Sequence, residues 1–245
     1  MDFLSVLYEY LFSYTGMAAV GIMLCVAVSA YLTAHYKLEP VRFLFLYVLS
    51  VLPVYLGAKL FGVFSILAFR LGSGYTVNFS VLKNAGIVYY GGLFAYLLFM
   101  RVALKRFYSG KKYRRVYDIA ALLIPLFHGF ARIGCYCAHC CYGKVAGGAL
   151  FASFYEHRVP VQLMESVFEL GLFVVLGLRL RGKARKTTLA RTYLASYAAF
   201  RFLIEFWRGD AVRGFIGPLS FSQWISVFVL VWLVLTRKRK EADPR

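Results

Sequence analysis

The sequence predicts an all-α fold: a polytopic membrane helix bundle of about seven transmembrane helices, with the N-terminus outside and the C-terminus inside. Three observations carry that prediction. The chain of 245 residues is 61% hydrophobic with a mean hydropathy of +0.66, whereas soluble domains sit nearer half apolar. Its apolar residues gather into seven runs, and a bilayer core requires about 20 such residues per helix. Its net charge of +18 falls in short segments between those runs. That is the pattern of cytoplasmic membrane loops rather than of a nucleic-acid-binding face, so no nucleic acid is expected as a partner.

The N-terminal stretch MDFLSVLYEYLF has neither a basic n-region nor a small-residue cleavage site, so it does not read as a signal peptide. Two readings remain open for it: an interfacial amphipathic arm with Asp2 and Glu9 toward water, or the start of the first span. The spans then cover residues 15–35, 42–68, 85–104, 117–137, 162–180, 188–207 and 220–236. The second contains Pro53 and Gly57, so a kink or strong tilt is expected there. The fourth and sixth carry charge within the membrane.

Loop charges set the orientation. One set of connections holds Lys37 and Arg42, a basic group from Lys105 to Arg115, another from Arg179 to Arg191, and the tail from Arg237 to Lys240. The opposite set holds only Arg70, Lys83, Lys144, Arg158, Arg208 and Arg213. The first set is cytoplasmic by the positive-inside rule. No soluble domain, long linker or repeat interrupts the chain, so residues 1–245 are expected to form a single integral membrane domain.

Ionisable side chains inside a span are expensive and default to function. Arg132 follows the run IAALLIPLFHGFA. Arg201, Glu205 and Arg208 in RFLIEFWRGD are spaced i, i+4, i+7, and Gln162, Glu165 and Glu169 in PVQLMESVFEL are spaced i, i+3, i+7. Each spacing lays its residues along one helix face. A pair of arginines suits a phosphate group, because guanidinium forks match its oxygens and stay charged when desolvated. The alternative is that Arg201–Glu205 and Glu165 form interhelical pairs that only hold the bundle together. Lys59, in YLGAKL, must snorkel, pair or face a polar cavity. Gly91 and Gly92, in YYGGLFAY, allow close approach of lipid or of a neighbouring helix.

Taken in order, these segments resemble the prolipoprotein diacylglyceryl transferase family over most of the chain. YLGAKL is similar to the family's G-A-R segment with Lys59 for arginine, and YYGGLFAY to H-G-G-L-I-G with Tyr90 for histidine. ARIGCYCAHCCYG resembles the signature G-R-x-G-N-F-x-N-x-E-x-x-G, keeping Arg132 and Gly134 but placing Cys135 at the asparagine and Cys140 at the glutamate. A Cys-rich branch of the family shares those cysteines, and there His139 stands at a glycine. HRVPVQLMES resembles H-P-[ST]-Q-L-Y-E, YAAFRFLIEFWRGD resembles Y-x-x-x-R-F-x-x-E-x-x-R, and LSFSQWIS resembles the start of the family's last span.

The resemblance implies transfer of diacylglyceryl from phosphatidylglycerol to the lipobox cysteine of a prolipoprotein, forming a thioether and releasing glycerol phosphate. It implies catalytic roles for Arg132, Arg201, Glu205, Tyr90 and His128. It implies substrate contacts for Lys59, Gly91, Gly92, Gly134, Cys135, His139, Cys140, Gln162, Glu165 and Arg208. The implied partners are phosphatidylglycerol, the lipobox peptide and the lipid bilayer, with no cofactor, in the bacterial plasma (inner) membrane. A base must deprotonate the incoming thiol, and with Tyr90 at the histidine position the candidates are His128, His139, Glu205 and Tyr90 itself.

The cysteines of HGFARIGCYCAHCCYGK leave four readings open: zinc ligands, a Cys135–Cys140 disulfide, a nucleophile that carries the lipid, or compact apolar residues lining a pocket. The spacing C-x-C-x-H-C-C lacks the C-x2-C pair of common zinc modules, so no metal ligand is assigned from sequence. Cys25, in the middle of the first span, reads as packing.

Overall fold

The computed structural model describes residues 10–72, 83, 85–147, 154–182, 188–209 and 214–242. The reading of Asp2 and Glu9, and the loop charges Lys183, Arg185, Lys186 and Arg213, lie outside the described residues. The structure is helical at every expected span. Its elements are α1 (Tyr14–His35), α2 (Pro40–Leu49), α3 (Val51–Gly72), α4 (Tyr89–Phe107), α5 (Gly110–Cys137), α6 (Val161–Arg181), α7 (Leu189–Ile204), a two-residue hairpin of β1 (Phe215–Ile216) and β2 (Leu219–Ser220), and α8 (Phe221–Ala242). Among the described residues, four stretches are long and apolar enough to cross a membrane: Tyr14–His35, Pro40–Arg70, Gly110–Cys137 and Val161–Arg181. The chain is an all-α polytopic membrane protein.

The second span, where a kink or strong tilt is expected, divides at Ser50 into α2 and α3. Pro53 has no N–H to return to the carbonyl of Leu49, so the ladder fails four residues ahead of it. At the break the Ser50 hydroxyl donates to the Tyr47 carbonyl at 2.6 Å. α4 starts at Tyr89, four residues later than expected, and α7 ends at Ile204, after which Glu205–Trp207 tighten into a 3-10 turn.

The described contacts cluster into two compact units. The first joins Met1–Leu44, Arg114–Leu189 and Phe206–Asp210. α5 is its central helix, buried from Val116 through Cys135 on nearly every turn. α6 packs on it at Gly129, where an added Cβ would lie 2.8 Å from the Leu170 side chain. α1 packs on it at Gly21, where a Cβ would lie 3.0 Å from Phe130. Cys25 is fully buried and its thiol donates to the Leu123 carbonyl at 3.5 Å, in line with a packing role.

The second unit joins Phe45–Tyr113, Ala190–Glu205 and Ala211–Arg245. Its α3 and α4 cross at two glycines. A Cβ on Gly57 would come within 2.6 Å of the Gly91 carbonyl oxygen, so the backbones meet with no room for a side chain. α8 begins with a capping box: Gln223 accepts from the Ser220 N–H at 2.9 Å, and Ser220 Oγ accepts from the Gln223 N–H at 3.2 Å.

Candidate functional site

In the first unit, α5 and α6 run antiparallel and face each other through a polar ladder. His128 and Arg132 stand four residues apart on α5, and Glu169 and Glu165 stand four apart on α6 in reverse order. His128 Nδ1 lies 2.8 Å from Glu169 Oε1. Arg132 Nε is ion-paired with Glu165 Oε2. One step further along α6, Gln162 Nε2 donates to the Cys140 carbonyl at 2.8 Å. Of these six residues all but Cys140 are buried. The i, i+3, i+7 face read from PVQLMESVFEL is thus the face that meets α5.

The Arg132 guanidinium is divided between two tasks. Its Nε faces Glu165, and its Nη1 donates to Cys135 Sγ at 3.6 Å. Its Nη2 is buried and has no hydrogen-bond partner among the described residues. A desolvated cation with an unused donor is poised for an anionic oxygen.

The cysteines follow from how α5 ends. The His139 N–H donates to the Tyr136 carbonyl and the Cys140 N–H to the Cys135 carbonyl, both at 3.1 Å. With His139 at φ +51°, this is a Schellman ending, whose reversing residue is most often glycine. The turn sets Cys140 over Cys135. Cys141 also takes positive φ, +58°, and swings its sulfur back toward the same point. The Sγ atoms of Cys135, Cys140 and Cys141 all lie within 4.8 Å of one another. None of the five cysteines is in a disulfide, so the Cys135–Cys140 bridge, one of the four readings, is not formed.

Electrostatics separate the two neighbouring thiols. The Cys135 thiol donates to the Cys141 sulfur, and Arg132 and Arg208 add positive potential; together they outweigh burial and hold Cys141 well below the ordinary thiol value. Burial pushes the Cys140 thiol up. Arg208 reaches this point because Gly143 and Arg208 form an antiparallel bridge, flanked by Lys144 N–H donating to the Trp207 carbonyl at 2.8 Å and Gly209 N–H to the Tyr142 carbonyl at 3.0 Å. Gly209 is required there, since a Cβ would sit 2.5 Å from the Gly143 oxygen. His139 itself is exposed at the turn.

In the second unit, Arg201 Nη2 pairs with Glu205 Oε2 at 2.7 Å, and both are buried, as the i, i+4 spacing anticipates. Tyr90 is 1% exposed and its hydroxyl lies 2.7 Å from Ser226 Oγ. Ser226 donates its own proton to the Ser222 carbonyl at 2.9 Å, so Tyr90 is the donor to Ser226. Lys59 Nζ donates to the carbonyls of Lys83, at 3.0 Å, and Ala85, at 2.5 Å, which satisfies it against backbone. Gly91 packs on Gly57, and a Cβ on Gly92 would lie 3.3 Å from Val54. Gly134 faces α1, with Tyr14 3.1 Å from where its Cβ would stand.

Sequence reasoning put Glu169 on the right face but gave it no role, and it left Cys141 outside the site. The signal for Glu169 was its place one turn beyond Glu165, opposite a histidine one turn before Arg132. Nothing in the local sequence announces the positive φ that brings in Cys141.

The first unit thus sets a buried arginine–carboxylate ladder at the end of a helix pair in an all-α membrane fold. The family model described as prolipoprotein diacylglyceryl transferase matches residues 6–237, and the chain belongs to that family. It is 34% identical over 163 residues to phosphatidylglycerol–prolipoprotein diacylglyceryl transferase 2 of Clostridium perfringens, covering 61% of this chain and 60% of that protein. It is 32% identical over 167 residues to the corresponding transferase of Clostridium tetani, covering 63% of this chain and 65% of that one. With the Bordetella avium transferase it shares 30% identity over 209 residues, covering 80% of this chain and 77% of the relative. The match thus spans less than two thirds of the two clostridial proteins.

Proposed function

We propose that this chain transfers the diacylglyceryl group of phosphatidylglycerol to the cysteine thiol of a prolipoprotein lipobox, in a bacterial plasma membrane, with its N-terminus outside and its C-terminus inside. The observation that carries the reading is Arg132: a buried guanidinium anchored by Glu165, with Nη2 unpartnered among the described residues. Family membership supplies the substrate class.

The lipobox thiol gives its proton to a base, and its sulfur attacks the glycerol carbon that bears the phosphate. A C–S bond forms, the C–O bond breaks, and the electron pair leaves on the phosphate oxygen as glycerol phosphate. Arg132 and Arg208 offset the charge that gathers on that oxygen. His128 is the base in this reading. Glu169 engages Nδ1, which fixes the tautomer, and Nε2 takes the proton.

The test is purified protein with radiolabelled phosphatidylglycerol and a lipobox peptide. The expected product is a peptide heavier by one diacylglyceryl group. Arg132→Ala is expected to lower the rate by about 10²–10³, the usual cost of losing a donor that stabilises developing charge. Absence of transfer by the wild type, with lipid binding intact, overturns the proposal.

A further inference from the structure

Three features of the thiol cluster belong together. The Sγ atoms of Cys135, Cys140 and Cys141 already lie within 4.8 Å of one another. Three thiolates on one tetrahedral zinc, at Zn–S distances of about 2.3 Å, sit about 3.8 Å apart, so the triangle needs only to contract. The backbone is committed to this gathering: His139 and Cys141, both non-glycine, hold positive φ within three residues. Strain of that kind persists only where the surroundings impose it. Gln162 fixes the Cys140 carbonyl, and the Gly143–Arg208 bridge fixes the chain just past Cys141.

The charge balance fits a metal as well. Three thiolates on a divalent ion carry a net charge of −1, and Arg132 donates from Nη1 to Cys135 Sγ at 3.6 Å. Outer donors of this type orient sulfur ligands and offset their charge. Among the described residues, no other His, Cys, Asp or Glu joins the group. A three-sulfur site with an open fourth position is the arrangement of a zinc ion that exchanges a ligand rather than of a closed structural finger.

We propose that Cys135, Cys140 and Cys141 form a three-thiolate site for a thiophilic divalent ion, Zn²⁺, with its fourth position open to water or an exogenous thiol. Binding releases the thiol protons to solvent and involves no oxidation. The site stands on its own geometry and does not depend on the transfer reaction.

The experiment uses the full chain in detergent, purified under reducing, anaerobic conditions. Zinc is measured by elemental mass spectrometry. The protein is then stripped with a chelator and titrated with Co²⁺ while the sulfur-to-cobalt charge-transfer absorption is followed. The expected result is one zinc per chain and a charge-transfer band that saturates at one equivalent and is displaced by Zn²⁺. Cys141→Ser and Cys135→Ser should each weaken binding at least tenfold, whereas Cys25→Ser and Cys137→Ser should leave it unchanged. Monodisperse elution of each variant checks that it has folded. A wild-type chain with five titratable thiols, no zinc and no band overturns the site. So does a band that survives Cys141→Ser and Cys140→Ser together, or a disulfide between any two of the three sulfurs in the freshly purified protein.

Discussion

Arg132 on α5 and Glu165 on α6 form an ion pair whose side chains are only 8% and 3% exposed. At that burial the energetics are not those of a surface pair. Removing one partner strands a charge and costs about 3–5 kcal/mol, while replacing both by apolar groups of similar volume is close to neutral. Glu165→Leu alone should therefore destabilise the protein strongly. Arg132→Met with Glu165→Leu should recover most of that loss while remaining inactive in lipid transfer. Denaturant unfolding in mixed micelles gives the stability, and the radiolabelled lipid assay gives the activity. Equal destabilisation by the single and double variants would show that the pair is not what couples the two helices.

At the end of α5, His139 occupies the left-handed reversal of a Schellman turn at φ +51°. A residue with a Cβ costs roughly 1 kcal/mol there relative to glycine. His139→Gly should raise stability by about that amount, since the side chain is exposed and buries little. An unchanged or lowered midpoint would mean that the imidazole makes contacts worth more than the backbone strain.

The α3–α4 crossing distinguishes two adjacent glycines. Gly91 meets the backbone of Gly57, while an added Cβ on Gly92 would meet the Val54 side chain at 3.3 Å. Backbone cannot yield as a valine methyl can. Gly91→Ala is thus expected to cost about 1–3 kcal/mol, an overpacking penalty, and Gly92→Ala less than about 1 kcal/mol. Thermal unfolding of the two variants in the same detergent makes the comparison. The reverse order would place the tight contact at Gly92.

Much of this architecture is legible in the sequence because long apolar runs have few structural outcomes. The seven spans are all helical, and the break near Pro53 follows from a missing N–H. The face carrying Gln162, Glu165 and Glu169 was also readable from periodicity alone. What periodicity does not give is the partner of a face. Arg132 and Glu165 are 33 residues apart, and His128 and Glu169 are 41 apart. Only the antiparallel docking of α5 on α6 pairs them. The cysteines were visible as a group, but C-x-C-x-H-C-C hides its geometry. Two left-handed residues, at histidine and cysteine rather than glycine, bring three of the sulfurs together.

His128 and Glu169 provide the sharpest test of the proposed chemistry. The carboxylate at 2.8 Å holds Nδ1, which makes Nε2 the nitrogen that takes the proton in the proposed step. His128→Gln keeps a polar group opposite Glu169 but cannot accept a proton at the same place. Transfer should fall by about 10²–10⁴ while phosphatidylglycerol binding is retained, the usual contribution of a positioned base. Glu169→Gln weakens the hold on Nδ1 without removing the imidazole, so its loss should be smaller and should reshape the pH profile of the rate. A more reactive acceptor offers a further check, because a peptide thiol already ionised at the assay pH should restore part of the His128→Gln rate but none of the Arg132→Ala rate. If both variants respond alike to that acceptor, His128 serves α5–α6 packing and the proton leaves by another route.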